Sequence, residues 1–396
     1  MTDQTPPLPT LPMQLMLNLG CWLSSPFAWG YAKNAWPASN SSSSNQAANT
    51  ALREAINLEA KNRAASLLKG ILRYYEIPHT RDVEEPPCIW RKGNARLLDY
   101  GTFAAPHSEL VTVLLVPSLI NRYYILDLNE ERSLLRYMAA QGVYPLVLDW
   151  GAPGTFEQSF GCSDYINEIL LPAIDFITRT SQQRIKLVGY CMGGNLSLAA
   201  TQLRREQVSA LALLSTPWDF HCKEFVPFVV DSQWLPMIEQ FIATKETLPA
   251  EIIQSLFYLT DPFVFGHKFR RFAGLDPESR EAKEFVALER WVNDGVPITA
   301  NVARDCLLGW AQRNELAKGQ WQIAGKTINP AKLKLPAFIA MPENDHVVPR
   351  GCALPLAEAM PHAQVVYPTA GHVSMIVGSQ AKKELWQPLT QWVKEI

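Results

Sequence analysis

The chain has 396 residues, and its 36 Lys and Arg against 38 Asp and Glu leave a formal charge of −2. Only 19% of residues are charged and 47% are apolar, which excludes a disordered chain, because disorder needs low hydrophobicity and high net charge. The near-neutral balance also argues against a nucleic-acid partner, since phosphates are met by basic residues. Seven cysteines are scattered without zinc-ligand or disulfide spacing, so neither metal nor bridge is expected, and a reducing cytoplasm is the simplest compartment. No Lys or Arg precedes Lys33, so a signal peptide is not expected. Residues 4–32 are uncharged but interrupted by Pro6, Pro7, Pro9, Pro12 and Pro26, a poor spanning segment.

Residues 1–47 read as an uncharged segment that ends in the Ser-rich linker Ser39–Asn45. Within it, Met13 to Trp29 carries Leu15, Met16, Leu17, Leu19, Trp22 and Phe27, the pattern of a short helix that touches an apolar partner or of a loosely packed tail. Residues 48–84 are a helical region, with Leu52, Ile56, Ala60, Ala64, Leu67 and Ile71 at three- and four-residue spacing. From 85 to 219 strands alternate with helices. Leu110–Val116, Tyr144–Asp149, Ile185–Gly189 and Leu211–Leu214 are strands; Ser133–Gln141, Asp164–Thr180 and Gly194–Arg205 are helices. Such alternation predicts a mostly parallel sheet with helices on both faces. Residues 220–332 break the pattern with a helical stretch rich in bulky side chains, among them Phe225, Phe228, Trp234, Phe257, Tyr258, Phe265 and Trp310, predicted to be a cap. Residues 333–396 resume the sheet with Lys334–Met341, a helix over Gly351–Met360, Gln364–Tyr367 and a closing helix over Gln380–Lys394.

Gly189-Tyr-Cys191-Met-Gly193-Gly194 lies between a buried strand and a helix. This is the G-x-S-x-G nucleophile elbow with Cys in place of Ser, where glycines let a tight turn aim the nucleophile out of the sheet. The helix N-terminus behind it favours a thiolate. On such a fold the acid and then the base follow in chain order. Asp345, after the strand ending at Met341, is a better candidate acid than Glu343. His372, in the last strand-to-helix loop, is the candidate base. His346, next to the acid, and Asn121 are expected behind these groups. His79, His107, His221, His267 and His362 read as surface or satisfied core residues, and the other six cysteines as small buried hydrophobes. The backbone N–H of Met192 should form half of an oxyanion hole, and that of Ile120, with Leu119 as the alternative, the other half.

Gly189-Tyr-Cys-Met-Gly-Gly194 resembles the lipase-like box of polyhydroxyalkanoate synthases. Leu119–Leu128, Val147–Pro153, the stretch around Asp164-Tyr165-Ile166, Thr216–Phe220, Asp345–Pro349 and Gly371–Gly378 also have counterparts there. The likeness covers roughly residues 85–396 and is strongest to the short, class III synthases, although Asn195 stands where many synthases carry a small hydroxyl or apolar residue. The resemblance implies an α/β-hydrolase fold, the triad Cys191, Asp345 and His372, and polymerisation of 3-hydroxyacyl groups from coenzyme A through a Cys-bound thioester. It implies no cofactor beyond the coenzyme A thioester substrate. As partners it implies the polyester chain, a second synthase subunit or a homodimer, and a granule surface met through the N-terminal segment. A Cys-dependent thioesterase or esterase on the same fold and a non-catalytic granule-associated paralogue are the alternatives.

Overall fold

A computed structural model describes residues 8–23, 43–78, 80–104, 110–224, 235–258 and 260–396. Phe27, His79, His107, Phe225, Phe228, Trp234 and residues 39–42 of the expected linker lie outside the described residues. Ser43, where that linker was expected to continue, already begins the helix Ser43–Glu76. The chain forms two compact units. One takes the described residues up to Thr80 with Phe257–Asn293; the other takes Arg81–Leu256 with Asp294–Ile396. The stretch expected to form one cap over 220–332 is therefore divided between them.

The reason is visible in the first unit's core. Tyr258, Phe265, Phe269 and Phe272 pack with Leu67, Ile71 and Tyr74 of the long helix. Gly70 sits so close to the Phe269 backbone that a Cβ there would overlap its carbonyl oxygen. The apolar stripe expected along the long helix is buried only in its second half: Leu67 and Ile71 are covered, whereas Leu52 is 45% exposed. The N-terminal helix Leu11–Leu23 packs Leu11, Met13, Leu15, Leu19 and Trp22 against the same core. Of the apolar residues expected on this segment, Leu15, Leu19 and Trp22 are partly buried there, while Met16 stays 69% exposed. Among the described residues no helix is long and apolar enough to cross a membrane.

The second unit holds an eight-stranded sheet. Its strands are β1 (Cys88–Lys92), β2 (Ala95–Asp99), β3 (Val111–Val116), β4 (Val143–Asp149), β5 (Ile185–Tyr190), β6 (Val208–Leu214), β7 (Ala337–Ala340) and β8 (Gln364–Val366). They lie in the order β1-β2-β4-β3-β5-β6-β7-β8. All pairs from β4 to β8 are parallel, and the apolar runs of β3, β5 and β6 are buried along nearly their whole length, as strands covered on both faces should be. The antiparallel hairpin β1-β2, absent from the sequence reading, turns on Gly93 at φ 57. From β3 the chain runs first to β4 on one side and then to β5 on the other. Such a reversal opens a crevice at the carboxyl ends of neighbouring strands, where ligands bind in α/β sheets.

Two helices are less regular than expected. The helix predicted over Asp164–Thr180 has a π-helical turn, Tyr165–Leu170, before Leu171–Ser181, and the closing helix has another, Lys382–Trp386, before Gln387–Glu395. In each case a proline, Pro172 or Pro388, follows the π turn at the second position of the next segment. Its missing N–H interrupts the i→i−4 ladder there.

The loop after β3 is anchored by Asp127, whose side chain is fully buried. Arg136 Nε donates to its Oδ1 at 2.8 Å, and Arg81 Nη2 and the Tyr100 hydroxyl donate to its Oδ2 at 2.6 and 2.7 Å. Removing one member of a buried pair leaves its partner's charge uncompensated, which costs about 3–5 kcal/mol. Asp127→Ala is expected to lower the second unit's unfolding free energy by about that much, read by urea denaturation; a loss below about 1 kcal/mol would contradict the anchoring role.

Candidate active site

β5 delivers Cys191 directly to the helix Met192–Leu203. Its backbone has φ 54 and ψ −128, a conformation that non-glycine residues rarely adopt and that neighbouring structure must impose. A Cβ on Gly189 would strike Gly194 Cα, and one on Gly193 would strike the Val116 carbonyl oxygen. Glycine is required at both positions because the elbow presses against its own helix and against β3.

The structure brings the three expected groups together. Asp345 and His372 lie 27 positions apart in the chain, yet His372 Nδ1 is 2.8 Å from Asp345 Oδ2. Cys191 lies near enough to the same imidazole to act on its charge. Because Nδ1 faces the carboxylate, Nε2 remains for the sulfur. The second carboxylate oxygen of Asp345 accepts the backbone N–H groups of Val347 and Val348 at 2.9 and 2.7 Å, so the acid cannot swing away.

Burial works against the imidazolium, but the Asp345 carboxylate, the charge at Cys191 and hydrogen bonds to both outweigh it and push the His372 pKa up to about 10. Burial alone would raise the Asp345 pKa; the His372 charge and hydrogen bonds from His372, Ser215 and the Val348 backbone hold it below the usual carboxylate value.

Two residues that the sequence reading missed complete the surroundings of the base. The Tyr190 ring stacks on His372 with centroids 5.2 Å apart and planes at 29°, and its hydroxyl donates to the His372 carbonyl at 3.2 Å. Ser215, fully buried and first after β6, donates its hydroxyl to Asp345 Oδ2 and lies 2.9 Å from His372 Nδ1. The available signal for Ser215 was a polar residue directly after a buried strand next to the nucleophile's own. For Tyr190 the sequence carried none, because an aromatic residue at a strand end usually reads as core.

The other expected residues divide. Met192 is the first residue of its helix, so its N–H has no intrahelical acceptor. The Ile120 N–H, in contrast, donates to Ser118 Oγ at 3.2 Å, which engages it within its own turn. Asn121 lies in an isolated bridge with Gly295, beside a Val296 N–H donated to the Ile120 carbonyl at 3.1 Å, so it belongs to the seam between the β3 loop and the 294–302 segment. Next to that seam a cavity of about 10 Å3, room for a single water, is lined by Leu119, Trp150, Tyr165, Val296 and Val302. His346 is exposed, and the position behind the acid expected for it is taken by Ser215. The chain turns immediately after Asp345 to donate the Val347 and Val348 amides, which leaves His346 facing outward. Asn195 is buried and donates Nδ2 to the Pro217 carbonyl at 2.6 Å.

Of the remaining cysteines, Cys162 and Cys352 are buried as expected, while Cys88, Cys222 and Cys306 are half-buried. His221, His267 and His362 are exposed. Among the described residues no group of three or more His, Cys, Asp or Glu could hold a metal ion.

The raised His372 pKa has a definite pH signature. A group whose pKa is higher folded than unfolded stabilises the fold fully below its ordinary value, here 6.5, and the contribution fades as pH rises through about 10. Asp345→Asn removes the largest charge that holds the imidazole protonated. The His372 midpoint in that variant, read by NMR of the ring carbons, is expected to fall clearly from about 10. A midpoint that stays near its wild-type position would contradict the pairing.

Comparison with known proteins agrees with this architecture. A family model described as alpha/beta hydrolase fold matches residues 112–379, and one described as Poly-beta-hydroxybutyrate polymerase (PhaC) N-terminus matches residues 74–138. The chain is 28% identical over 332 residues to a Poly(3-hydroxyalkanoate) polymerase subunit PhaC from Haloarcula marismortui, covering 81% of this chain and 70% of that one. It is 25% identical to one from Thiocystis violacea, over 79% of this chain and 89% of the other, and 26% identical to one from Allochromatium vinosum, over 74% and 82%. With the first model spanning well over half its length, and with a parallel sheet carrying the elbow at β5, the chain belongs to the alpha/beta hydrolase fold family.

Proposed function

We propose that this chain is a polyhydroxyalkanoate synthase-like acyltransferase that transfers 3-hydroxyacyl groups from coenzyme A to Cys191 and from there to the hydroxyl end of a growing polyester. The observation that carries the reading is the Cys191–His372–Asp345 constellation on this elbow, in a chain similar over most of its length to named polymerase subunits.

In the first half-reaction the Cys191 sulfur attacks the thioester carbonyl. The oxyanion is met by the Met192 N–H and by a second amide from the Leu119–Ile120 turn; for Ile120 to serve, it must exchange its bond to Ser118. The carbon–sulfur bond to coenzyme A then breaks, and the leaving thiolate takes the proton held by His372. Exchanging one thioester for another is nearly isoenergetic, so the acyl-enzyme stays activated. In the second half-reaction the chain-end hydroxyl attacks the acyl-Cys191 carbonyl. His372 accepts the hydroxyl proton, an ester bond forms, and Cys191 leaves as the thiolate that begins the next cycle. Asp345 holds the imidazole in the tautomer that both steps need.

This chemistry needs no resident cofactor. The relatives named as subunits make a second synthase subunit a natural partner of this chain, with a homodimer as the alternative. Polymer growth would place it at granules in the cytoplasm.

The test is release of coenzyme A from 3-hydroxybutyryl-coenzyme A, with insoluble polyester assayed in the same tubes, for wild type and Cys191→Ala. Release with polymer is expected in wild type, and both should fall at least about a thousandfold in the variant. Cys191-dependent release that yields only free 3-hydroxybutyrate would overturn the synthase reading in favour of a thioesterase.

A further inference from the structure

Beside the nucleophile, a second residue is held in a backbone conformation that side chains avoid. In the register of β5 with β6, Tyr190 pairs with Leu214, so Cys191 and Ser215 are the next residues at two adjacent strand ends. Both have positive φ, 54 for Cys191 and 47 for Ser215. The Ser215 N–H donates to the Ala340 carbonyl at the end of β7, at 2.9 Å, which places Ser215 between the strand that carries the nucleophile and the strand that leads to the acid.

Glycine adopts a positive φ without the steric penalty that a Cβ brings. A serine there keeps a hydroxyl that glycine lacks, and this hydroxyl is fully buried against the base and the acid at once. It donates to Asp345 Oδ2 and lies 2.9 Å from His372 Nδ1, so it can accept a share of the Nδ1–H that points at the same carboxylate oxygen.

We infer that Ser215 is a positioning residue for His372: its hydroxyl closes a triangle with Asp345 Oδ2 and His372 Nδ1 that fixes the imidazole tautomer and aims Nε2 at Cys191. The inference rests on the base role proposed for His372. Tyr190 holds the ring's plane by stacking, but stacking does not distinguish one ring nitrogen from the other. The hydrogen-bond triangle does.

The test compares wild type with Ser215→Gly and Ser215→Ala in the full-length chain. Glycine relieves the backbone at φ 47 and removes the hydroxyl; alanine keeps the Cβ and removes only the hydroxyl. Two readouts need no acyl substrate: the exchange-protected Nδ1–H proton of His372 by NMR, and the rate of Cys191 alkylation by iodoacetamide as a function of pH, with the adduct located by peptide mass spectrometry. The expected result is a melting temperature for Ser215→Gly at least equal to wild type. In both variants the Nδ1–H signal is lost to exchange and Cys191 alkylation near pH 7 slows at least about tenfold. If Ser215→Ala does not fold, the glycine variant carries the test alone. An Nδ1–H signal and an alkylation profile unchanged from wild type in Ser215→Gly would overturn the inference, since Ser215 would then serve only the backbone. Absence of polymer in wild type would strike the proposed function without touching either readout, so the two failures are distinguishable.

Discussion

Cys191 stands at the carboxyl end of a fully buried strand with φ 54 and ψ −128. The rest of the site follows from what holds it there. The turn exists because Gly189 lets the strand touch its own helix and Gly193 lets that helix touch the Val116 carbonyl. The same tightness sets the first N–H of the helix, that of Met192, beside the sulfur. The register of β5 with β6, Tyr190 beside Leu214, brings Ser215 alongside. Relaxing the elbow would move the nucleophile and the oxyanion donor together. A strained residue at a working site fits the general pattern in which surrounding packing maintains an unfavourable local conformation because the geometry is useful.

Electrostatics acts on this scaffold through a chain of groups. Asp345 is held by two backbone amides on one oxygen and by Ser215 and His372 on the other. His372 in turn sits between a carboxylate and a sulfur, and these negative neighbours overcome the cost of burying its positive charge. A thiol in this position can exchange acyl groups with coenzyme A at little free-energy cost, and the direction of the chemistry then depends on which hydroxyl reaches the acyl-enzyme. Water gives a hydrolase and a chain end gives a polymerase, with the same three side chains.

Much of this was legible in the sequence because it is written in local patterns. Continuous apolar runs marked the buried strands, glycines at fixed offsets around Cys191 marked the elbow, and chain order placed Asp345 and His372 in the right loops. What escaped depends on contacts between distant segments. The division into two units was hidden because Tyr258, Phe265, Phe269 and Phe272 look like any bulky stretch until they pack on Leu67, Ile71 and Tyr74. The N-terminal helix could be read as a surface contact or a loose tail, because apolar residues alone do not say that part of their face packs on the core of Leu67 and Phe269. Ser215 was invisible because a single serine after a strand is common, and only register shows that it faces the acid and the base. His346 misled by adjacency: a neighbour in sequence points away as soon as the chain turns to donate the Val347 and Val348 amides.

The central claim is that Cys191 carries the acyl group. The most direct measurement is peptide mass spectrometry after rapid acid quench of the full-length protein mixed with 3-hydroxybutyryl-coenzyme A. The account predicts an adduct of one or more 3-hydroxybutyryl units on the peptide bearing Cys191, accumulating within the first turnover and absent in Cys191→Ala. Coenzyme A release that proceeds with Cys191 unmodified, or an adduct found on another residue, would contradict it.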